Sequence, residues 1–317
     1  MRRSGIALVL ALGVLLSPTF LDRSSRADGP TLRQLLERYG PVNRWVRPGA
    51  KADRPWRFLV VGDTQHNFEV HRQVAERMSH ETADLLLHTG DLVGSGSRLT
   101  HWQQFLEASK TLRAKIPYYP SLGNHERFFQ YYLRLFRLPG THGRYYAFVH
   151  KGWQFIALDS NRLYGRRGRA QLSWLAEVLA RHPRGRSIAF FHHPPVSTST
   201  RVRMQQTDDQ LTPVLARFGV PLIFNGHFHH YERLRWKGIQ VVISGGGGGK
   251  LRRFGVLRGR PQKLVIAHHY VRVTVERTRL VIEAFAVPGG ERIDRFELPV
   301  PPIKPRLLVD KRASRPR

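Results

Sequence analysis

Residues 57–65 read RFLVVGDTQ, an apolar run with the length and branching of a buried β-strand that ends directly in Gly62-Asp63. The same pattern, a short apolar strand followed by a polar cluster with glycine or proline, recurs four more times along the chain. The other clusters are Gly90-Asp91, Gly123-Asn124-His125-Glu126, His192-His193-Pro194 and Gly226-His227-Phe228-His229. Because ligands bind at the carboxyl ends of strands in open α/β sheets, these clusters predict one shared polar rim.

Strands and helices alternate through most of the chain. Between the apolar strands, helical patterns are predicted at residues 70–79, 99–114, 170–179 and 212–218. After residue 249 the helical patterns stop, and the last strands, within residues 264–299, alternate as antiparallel strands with a turn at Pro288-Gly289-Gly290. The sequence therefore predicts an α/β domain over residues 56–300.

The two ends of the chain are predicted to lie outside this domain. Residues 1–27 combine an arginine pair, a short apolar run and a cleavage motif of small residues, which are features of a signal peptide. The apolar run is shorter than the ~20 residues that a membrane span needs. We therefore expect export to the periplasm or secretion without stable membrane insertion; the alternative is an uncleaved membrane anchor. Residues 28–55 form a lead segment, and residues 301–317 form a basic, proline-rich tail.

Composition excludes several classes of protein. The 317 residues contain no cysteine, which excludes a disulfide scaffold, a zinc finger, an iron–sulfur cluster and a cysteine nucleophile. The chain carries 52 Lys+Arg against 23 Asp+Glu, a formal net charge of +29, so nucleic acid is one partner to consider. The basic residues are spread through nearly every segment, without a helix-turn-helix or RNP signature, so we interpret the charge first as a solubility and steering feature. Nucleic acid is a possible partner but is less favoured than a small phosphorylated substrate.

The five clusters supply a particular set of metal ligands. Two Asp, one Asn and three His offer carboxylate, amide and imidazole atoms, which suit Zn, Mn, Fe or Ni. Six such groups are too many for one tetrahedral site. They suit two ions ~3.5–4 Å apart that share a bridging carboxylate.

In the order and spacing of these motifs, roughly residues 56–249 resemble the calcineurin-like metallophosphoesterases, and more closely their purple-acid-phosphatase-like branch. Residues 225–233, NGHFHHYER, are similar to the Gly-His-x-His-x-Tyr-Glu-Arg signature of that branch. The resemblance implies a four-layer α/β/β/α sandwich of two mixed sheets flanked by helices. It also implies hydrolysis of phosphate esters by a dinuclear centre of divalent or trivalent Fe, Mn or Zn with a bridging hydroxide.

The same resemblance implies a role for each residue of the rim. Asp91 would bridge the two ions, and His125 would lie beside them and protonate the leaving oxygen. The other predicted ligands are Asp63 and His229 for the first ion, and Asn124, His192 and His227 for the second. His193, next to a ligand, is expected to face away from the metals.

Two positions depart from the family pattern. Gln65 stands where the family has a histidine, and Gly94 stands where the purple enzymes have a tyrosine. We therefore expect a weak first metal site, with the Gln65 amide oxygen or the His66 ring as candidate weak ligands. Asn67 is a candidate substrate contact, or alternatively the cap of the helix that follows it. Substrate contacts by Arg127 and Tyr231 are less favoured than a solvated and a core position, respectively.

Two alternatives remain open at the level of sequence. One is a phosphodiesterase that acts on nucleotides or nucleic acid. The other is a metal-poor protein that binds phosphorylated ligands without turnover, which the glutamine at position 65 would favour.

Overall fold

The computed structural model describes residues 29–42, 54–140, 143–199, 204–252 and 259–300. The predicted signal peptide, the part of the lead segment at residues 43–53 and the basic tail lie outside these ranges. Within the described part of the lead segment, the chain forms a short helix that Thr31 caps by accepting a hydrogen bond from Gln34 N. In the described ranges, none of the helices combines the length and the apolar character that crossing a membrane requires.

Thirteen strands and seven α-helices make up the described chain. The strands are β1 (Trp56–Val61), β2 (Leu85–His88), β3 (Tyr118–Pro120), β4 (Tyr146–His150), β5 (Trp153–Ala157), β6 (Ser187–Phe190), β7 (Leu222–Asn225), β8 (Tyr231–Trp236), β9 (Ile239–Ser244), β10 (Lys263–Val265), β11 (His269–Val275), β12 (Arg279–Ala286) and β13 (Arg292–Pro299). The helices are α1 (Leu32–Tyr39), α2 (Phe68–Ser79), α3 (Leu99–Ala108), α4 (Lys110–Lys115), α5 (Gln130–Leu135), α6 (Gly165–Ala180) and α7 (Thr212–Arg217).

The strands form two mixed sheets. The first has the order β13-β12-β11-β1-β2-β3, in which β1, β2 and β3 are parallel and the last three strands of the chain are antiparallel. The second has the order β10-β8-β9-β7-β6-β5-β4, with β5, β6, β7 and β9 parallel. Because the parallel strands point the same way within each sheet, the polar clusters that follow them lie at the same edge.

Three apolar clusters show how the layers stack. Alternate residues of β1 enter different clusters, because successive side chains of a strand point to opposite faces. Leu59 packs with residues of α2 to α5 on the outer face of the first sheet, whereas Phe58 packs between the two sheets. A third cluster joins the outer face of the second sheet to α6 and α7. The predicted four-layer α/β/β/α sandwich is confirmed.

Some predicted boundaries were wrong. The helix predicted over residues 99–114 is divided at Ser109 into α3 and α4. The Ser109 hydroxyl donates to Phe105 O and accepts from Arg113 Nε, and such local side-chain bonds compete with a continuous helix. Helix α7 is preceded by one π-helical turn, Thr207–Leu211. The sequence analysis missed the short elements β4, β8, β10 and α5.

The space between the sheets generates a prediction about stability. Phe155 is fully buried there, with its ring centroid 5.3 Å from that of Phe58 and 5.2 Å from that of Phe148. Phe155→Ala should lower the free energy of unfolding in urea by about 3–5 kcal/mol, because it leaves a cavity between two sheets that cannot collapse. Val149→Ala on the neighbouring strand, where the side chain is 40% exposed, should change it by less than about 0.5 kcal/mol. Equal losses in both variants would contradict this layer arrangement.

Candidate metal centre

The ends of the parallel strands in the two sheets meet at one edge of the molecule. Within the first sheet, the amide of Asp63 donates to Gly90 O at 3.0 Å, and within the second, the amide of Gly226 donates to His192 O at 3.0 Å. A bond between the sheets joins the two pairs, because His227 N lies 3.0 Å from both carboxylate oxygens of Asp63. The two sheets are therefore tied together at the polar clusters.

The backbone at this edge adopts conformations that L-residues seldom take. Asp63, Asp91 and His227 have φ angles of +58°, +55° and +72°. Such left-handed residues cost of order 1–3 kcal/mol each and are concentrated at functional sites. The neighbouring glycines are required by close approach: a Cβ on Gly123 would stand 2.1 Å from Asp91 Oδ1, and one on Gly226 would stand 2.3 Å from Asp63 Oδ2.

Asp91 lies at the middle of the candidate site. Its Oδ2 is 3.2 Å from His192 Nε2, and its Oδ1 accepts a hydrogen bond of 2.9 Å from the amide of His125. On the other side, Asp63 Oδ1 is 3.5 Å from His229 Nε2. Side-chain oxygen and nitrogen atoms of Asp63, Asp91 and His192 all lie within 4.8 Å of one another. Asp91 thus occupies the position that a bridging carboxylate needs.

A second group of ligand atoms converges next to Asp91. Asn124 Oδ1 is 3.0 Å from His192 Nε2 and 3.1 Å from His227 Nδ1, and these two nitrogens are 3.2 Å apart. His192 Nδ1 lies 3.1 Å from the carbonyl of Thr89, so this nitrogen carries a proton and Nε2 is the ring nitrogen that faces the site. His229 is oriented in the same way, with Nδ1 2.9 Å from Lys250 O. Lone pairs that face one another at this distance repel unless a proton or a cation lies between them.

The electrostatics of the cluster also favour a cation. Burial raises the pKa of Asp63 well above its usual range. Burial opposes protonation of His192, but the carboxylates of Asp91 and Asp63 raise its pKa to about 9. Burial and the neighbouring His192 lower the pKa of His227 to about 4, so its imidazole stays neutral near pH 7. The negative potential at His192 and the neutral ring of His227 are the conditions under which such a donor set binds a metal ion.

The six predicted ligands are therefore brought together at one edge, and their donor set fits two metal ions on either side of Asp91. Metal binding by Asp63, Asp91, Asn124, His192, His227 and His229 stays a prediction. His125 lies beside the set: its Nδ1 donates to Gly94 O at 2.8 Å, and its Nε2 is 3.8 Å from Asp91 Oδ2.

Gln65 occupies the space between the first-ion ligands. Its Nε2 lies 3.1 Å from Asp91 Oδ2 and 3.3 Å from His229 Nε2, and its Oε1 is buried without a hydrogen bond in the described ranges. His66, the other candidate weak ligand, packs its ring against His125, with centroids 5.2 Å apart. Both candidates stay predictions, and Gln65 is the one that lies among the proposed ligands.

Two of the three candidate substrate contacts, Asn67 and Tyr231, make structural hydrogen bonds. Asn67 Oδ1 accepts a hydrogen bond of 3.1 Å from Val70 N and so caps α2, which is the alternative that the sequence left open. Arg127 is exposed. Tyr231 is buried and donates its hydroxyl to Asp294 at 2.8 Å, which places it in the core.

The expectation for His193 was wrong. Its ring does not face away: the centroid lies 4.8 Å from that of His192 and 4.7 Å from that of His227. Ser160 holds it there, with Oγ 2.9 Å from His193 Nδ1 and 3.0 Å from His193 N. Because Ser160 follows a different strand, β5, the sequence around His193 carries no signal for this orientation.

Sequence reasoning also missed the role of Glu126. This buried carboxylate accepts hydrogen bonds from Asp91 N at 3.0 Å, Gly123 N at 2.8 Å and Val93 N at 3.1 Å. It therefore holds the loop that carries Asp91 against the loop that carries Asn124. The only signal for it in the sequence was its place at the end of the Gly123–Glu126 cluster.

Comparisons with known proteins agree with this arrangement. Residues 57–231 match the family model of the calcineurin-like phosphoesterases. Purple acid phosphatase 15 of Arabidopsis thaliana is 25% identical over 222 residues, which cover 56% of this chain and 41% of that protein. A probable glycerophosphodiester phosphodiesterase GpdQ of Arcobacter nitrofigilis is 26% identical over 177 residues, which cover 51% of this chain and 62% of that protein.

Among solved structures, the purple acid phosphatase PPD1 of yellow lupin superposes with a TM-score of 0.70 at 17% identity. The match covers 80% of this chain and 55% of that one, and it shows a shared fold. The chain therefore spans less than two thirds of the length of each of these three relatives.

The position of Gln65 generates a prediction about metal affinity. Two ions should bind the metal-free protein with unequal affinity, because the first ion lacks a histidine at position 65. Gln65→His should raise the metal affinity of the weaker site by about tenfold or more. Substitutions of residues that only hydrogen-bond to metal ligands already change the affinity on this scale. Calorimetric titration of Mn²⁺ or Zn²⁺ into both proteins measures this. Two equally tight sites before the substitution would contradict the prediction.

Proposed function

The chain belongs to the calcineurin-like phosphoesterase family, its similarity to purple acid phosphatases supports that branch, and on this premise we propose that it hydrolyses phosphate esters at the metal centre described above. The observation that carries the proposal is the convergence of two carboxylates, one amide and three imidazoles at one edge of the two sheets. With the signal peptide that the sequence predicts, this activity would be exported from the cytoplasm.

The residues that would hold two metal ions fall into two groups on either side of Asp91, which would be shared. Asp63 and His229 would hold the first ion, with Gln65 beside them. Asn124, His192 and His227 would hold the second. When bound, the two ions polarise the phosphoryl oxygens and lower the pKa of a water molecule, so that hydroxide is available near neutral pH.

His125 is the proposed general acid. The hydrogen bond from its Nδ1 to Gly94 O fixes the ring, and Nε2 is the nitrogen that lies toward Asp91. A proton on Nε2 passes to the departing oxygen as the ester bond breaks. General acid catalysis of this kind typically contributes about 10²–10⁴-fold to the rate.

His193 is a second residue that we propose to act on the substrate. Ser160 Oγ accepts a hydrogen bond from His193 N, and within the described ranges His193 Nδ1 is the acceptor available for the hydroxyl proton. The serine thus leaves the imidazole proton on Nε2 of His193. The adjacent His192 donates from Nδ1 to Thr89 O, so its Nε2 is the atom that would bind a metal ion, which would displace the Nε2 proton. His193 instead presents an N–H suited to a phosphoryl oxygen.

A second candidate function is phosphodiester hydrolysis. It is favoured by the similarity to a protein named as a glycerophosphodiester phosphodiesterase, and the net charge of +29 would assist binding of nucleotides or nucleic acid. Relative rates on p-nitrophenyl phosphate and bis(p-nitrophenyl) phosphate distinguish the two functions. Metal binding without release of p-nitrophenol from either compound would instead favour a protein that binds phosphorylated ligands without turnover.

The proposal generates a prediction for the two histidines that touch substrate. On p-nitrophenyl phosphate, His125→Ala should lower kcat by about 10²–10⁴-fold and His193→Leu by about 10–100-fold, while each protein keeps the wild-type metal content. The control is His80→Ala, at the exposed histidine that directly follows α2. Among the described residues the His80 side chain bonds only Glu76, so this substitution should leave kcat unchanged.

The metal content decides how a loss of activity is interpreted. If metal and kcat fall together in His125→Ala, His125 is a ligand or a structural residue and its role as the acid is wrong. If His193→Gln, which keeps an N–H donor at the same reach, is as slow as His193→Leu, the proposed donor role of His193 is wrong.

A further inference from the structure

A cavity of about 170 Å³ opens beside the metal centre, between the loop after β1 and helix α3. Gln65 and Gly94 lie on its side nearest the proposed metal ligands, and the other residues that line it include His66, Phe68, His101 and Gln104. The proposed mechanism uses none of the last three residues.

The glycine at position 94 keeps this space open. A Cβ on Gly94 would stand 3.4 Å from His66 Nε2 and 3.4 Å from His101 Nδ1. A larger side chain at position 94 would therefore project into the space between the two imidazoles. The cavity exists because position 94 is a glycine and because His66 and His101 border the space that this glycine leaves.

The walls combine flat aromatic surfaces with polar atoms. Phe68 is 39% exposed at the opening, and His66 and Gln104 are also exposed there. His101 Nδ1 is buried and has no hydrogen-bond partner in the described ranges. Burial and the charge of Arg98 lower the pKa of His101, so near pH 7 its ring is neutral and offers one donor and one acceptor. An unpaired buried nitrogen is costly unless a ligand satisfies it.

The cavity adjoins the place where the leaving group would depart. The carbonyl of Gly94 accepts the hydrogen bond that orients His125, and the His66 ring packs edge-to-face against the His125 ring. Gln65, which lines the cavity, is also bonded to Asp91. A group that leaves past His125 therefore has the cavity as its immediate neighbour.

We propose that this cavity binds the leaving group of the substrate, and that this group contains a single flat aromatic ring with hydrogen-bonding atoms on its edge, as a pyrimidine base does. The inference rests on the proposed function and names its substrate class. A volume of about 170 Å³ is below the ~300 Å³ of pockets for drug-sized ligands, and it suits a single ring. Aromatic side chains stack on such a ring, while His101 and Gln104 bond its edge.

The test compares three monoesters that share the phosphoryl group: uridine 5′-monophosphate, phenyl phosphate and glycerol 1-phosphate. The wild-type protein should hydrolyse the first with a kcat/KM at least about tenfold above that for the last. His101→Leu and Gln104→Leu should each lower kcat/KM for the nucleotide by roughly tenfold and change that for glycerol 1-phosphate by less than twofold. Gln103→Leu, one residue along the same helix but outside the cavity, is the matched control and should change neither.

The outcomes separate this inference from the proposed function. Hydrolysis of all three esters at similar kcat/KM, with no effect of the cavity variants, would overturn the inference and leave the phosphatase proposal standing. No hydrolysis of any ester by the metal-loaded protein would overturn both. Loss of activity in the cavity variants on phenyl phosphate alone, whose ring has no hydrogen-bonding atoms, would also overturn the inference.

Discussion

The arrangement of this protein depends on side-chain ligand atoms that converge around two buried carboxylates. Asp63 and Asp91 are buried at the ends of adjacent strands, and in the described ranges neither is paired with a lysine or an arginine. Their neighbours His192 and His229 are oriented by bonds from Nδ1, so that Nε2 of each ring faces the same space. The left-handed residues and the close glycines follow from this convergence, because the chain must turn sharply for the carboxylates to reach it.

Much of this could be predicted from the sequence because local patterns specify it. Apolar runs predicted the parallel strands, and the clusters that follow them predicted which side chains would share a rim. What the sequence did not predict depends on partners far away in the chain. The orientation of His193 is set by Ser160 after another strand, and the role of Glu126 is to bond backbone amides of a neighbouring loop. The break at Ser109 likewise comes from side-chain bonds that periodicity does not record.

Two departures from the family pattern are neighbours in space and have connected consequences. Gln65 stands where the family resemblance implies a histidine ligand of the first ion, and it also lines the cavity beside that position. Gly94 leaves space in that cavity and supplies the carbonyl that orients His125. The proposed weaker metal site and the proposed binding surface for the leaving group therefore share one small region, whereas the predicted ligands of the second ion match the family pattern.

The central claim is that two metal ions share Asp91. Anomalous diffraction from crystals of the protein loaded with Mn²⁺ or Zn²⁺ tests it most directly, because each ion gives its own peak at the absorption edge. The account predicts two peaks about 3.5–4 Å apart, one on each side of the Asp91 carboxylate, with the peak beside Asp63 and His229 the weaker. A single peak, or peaks that do not contact Asp91, would contradict it.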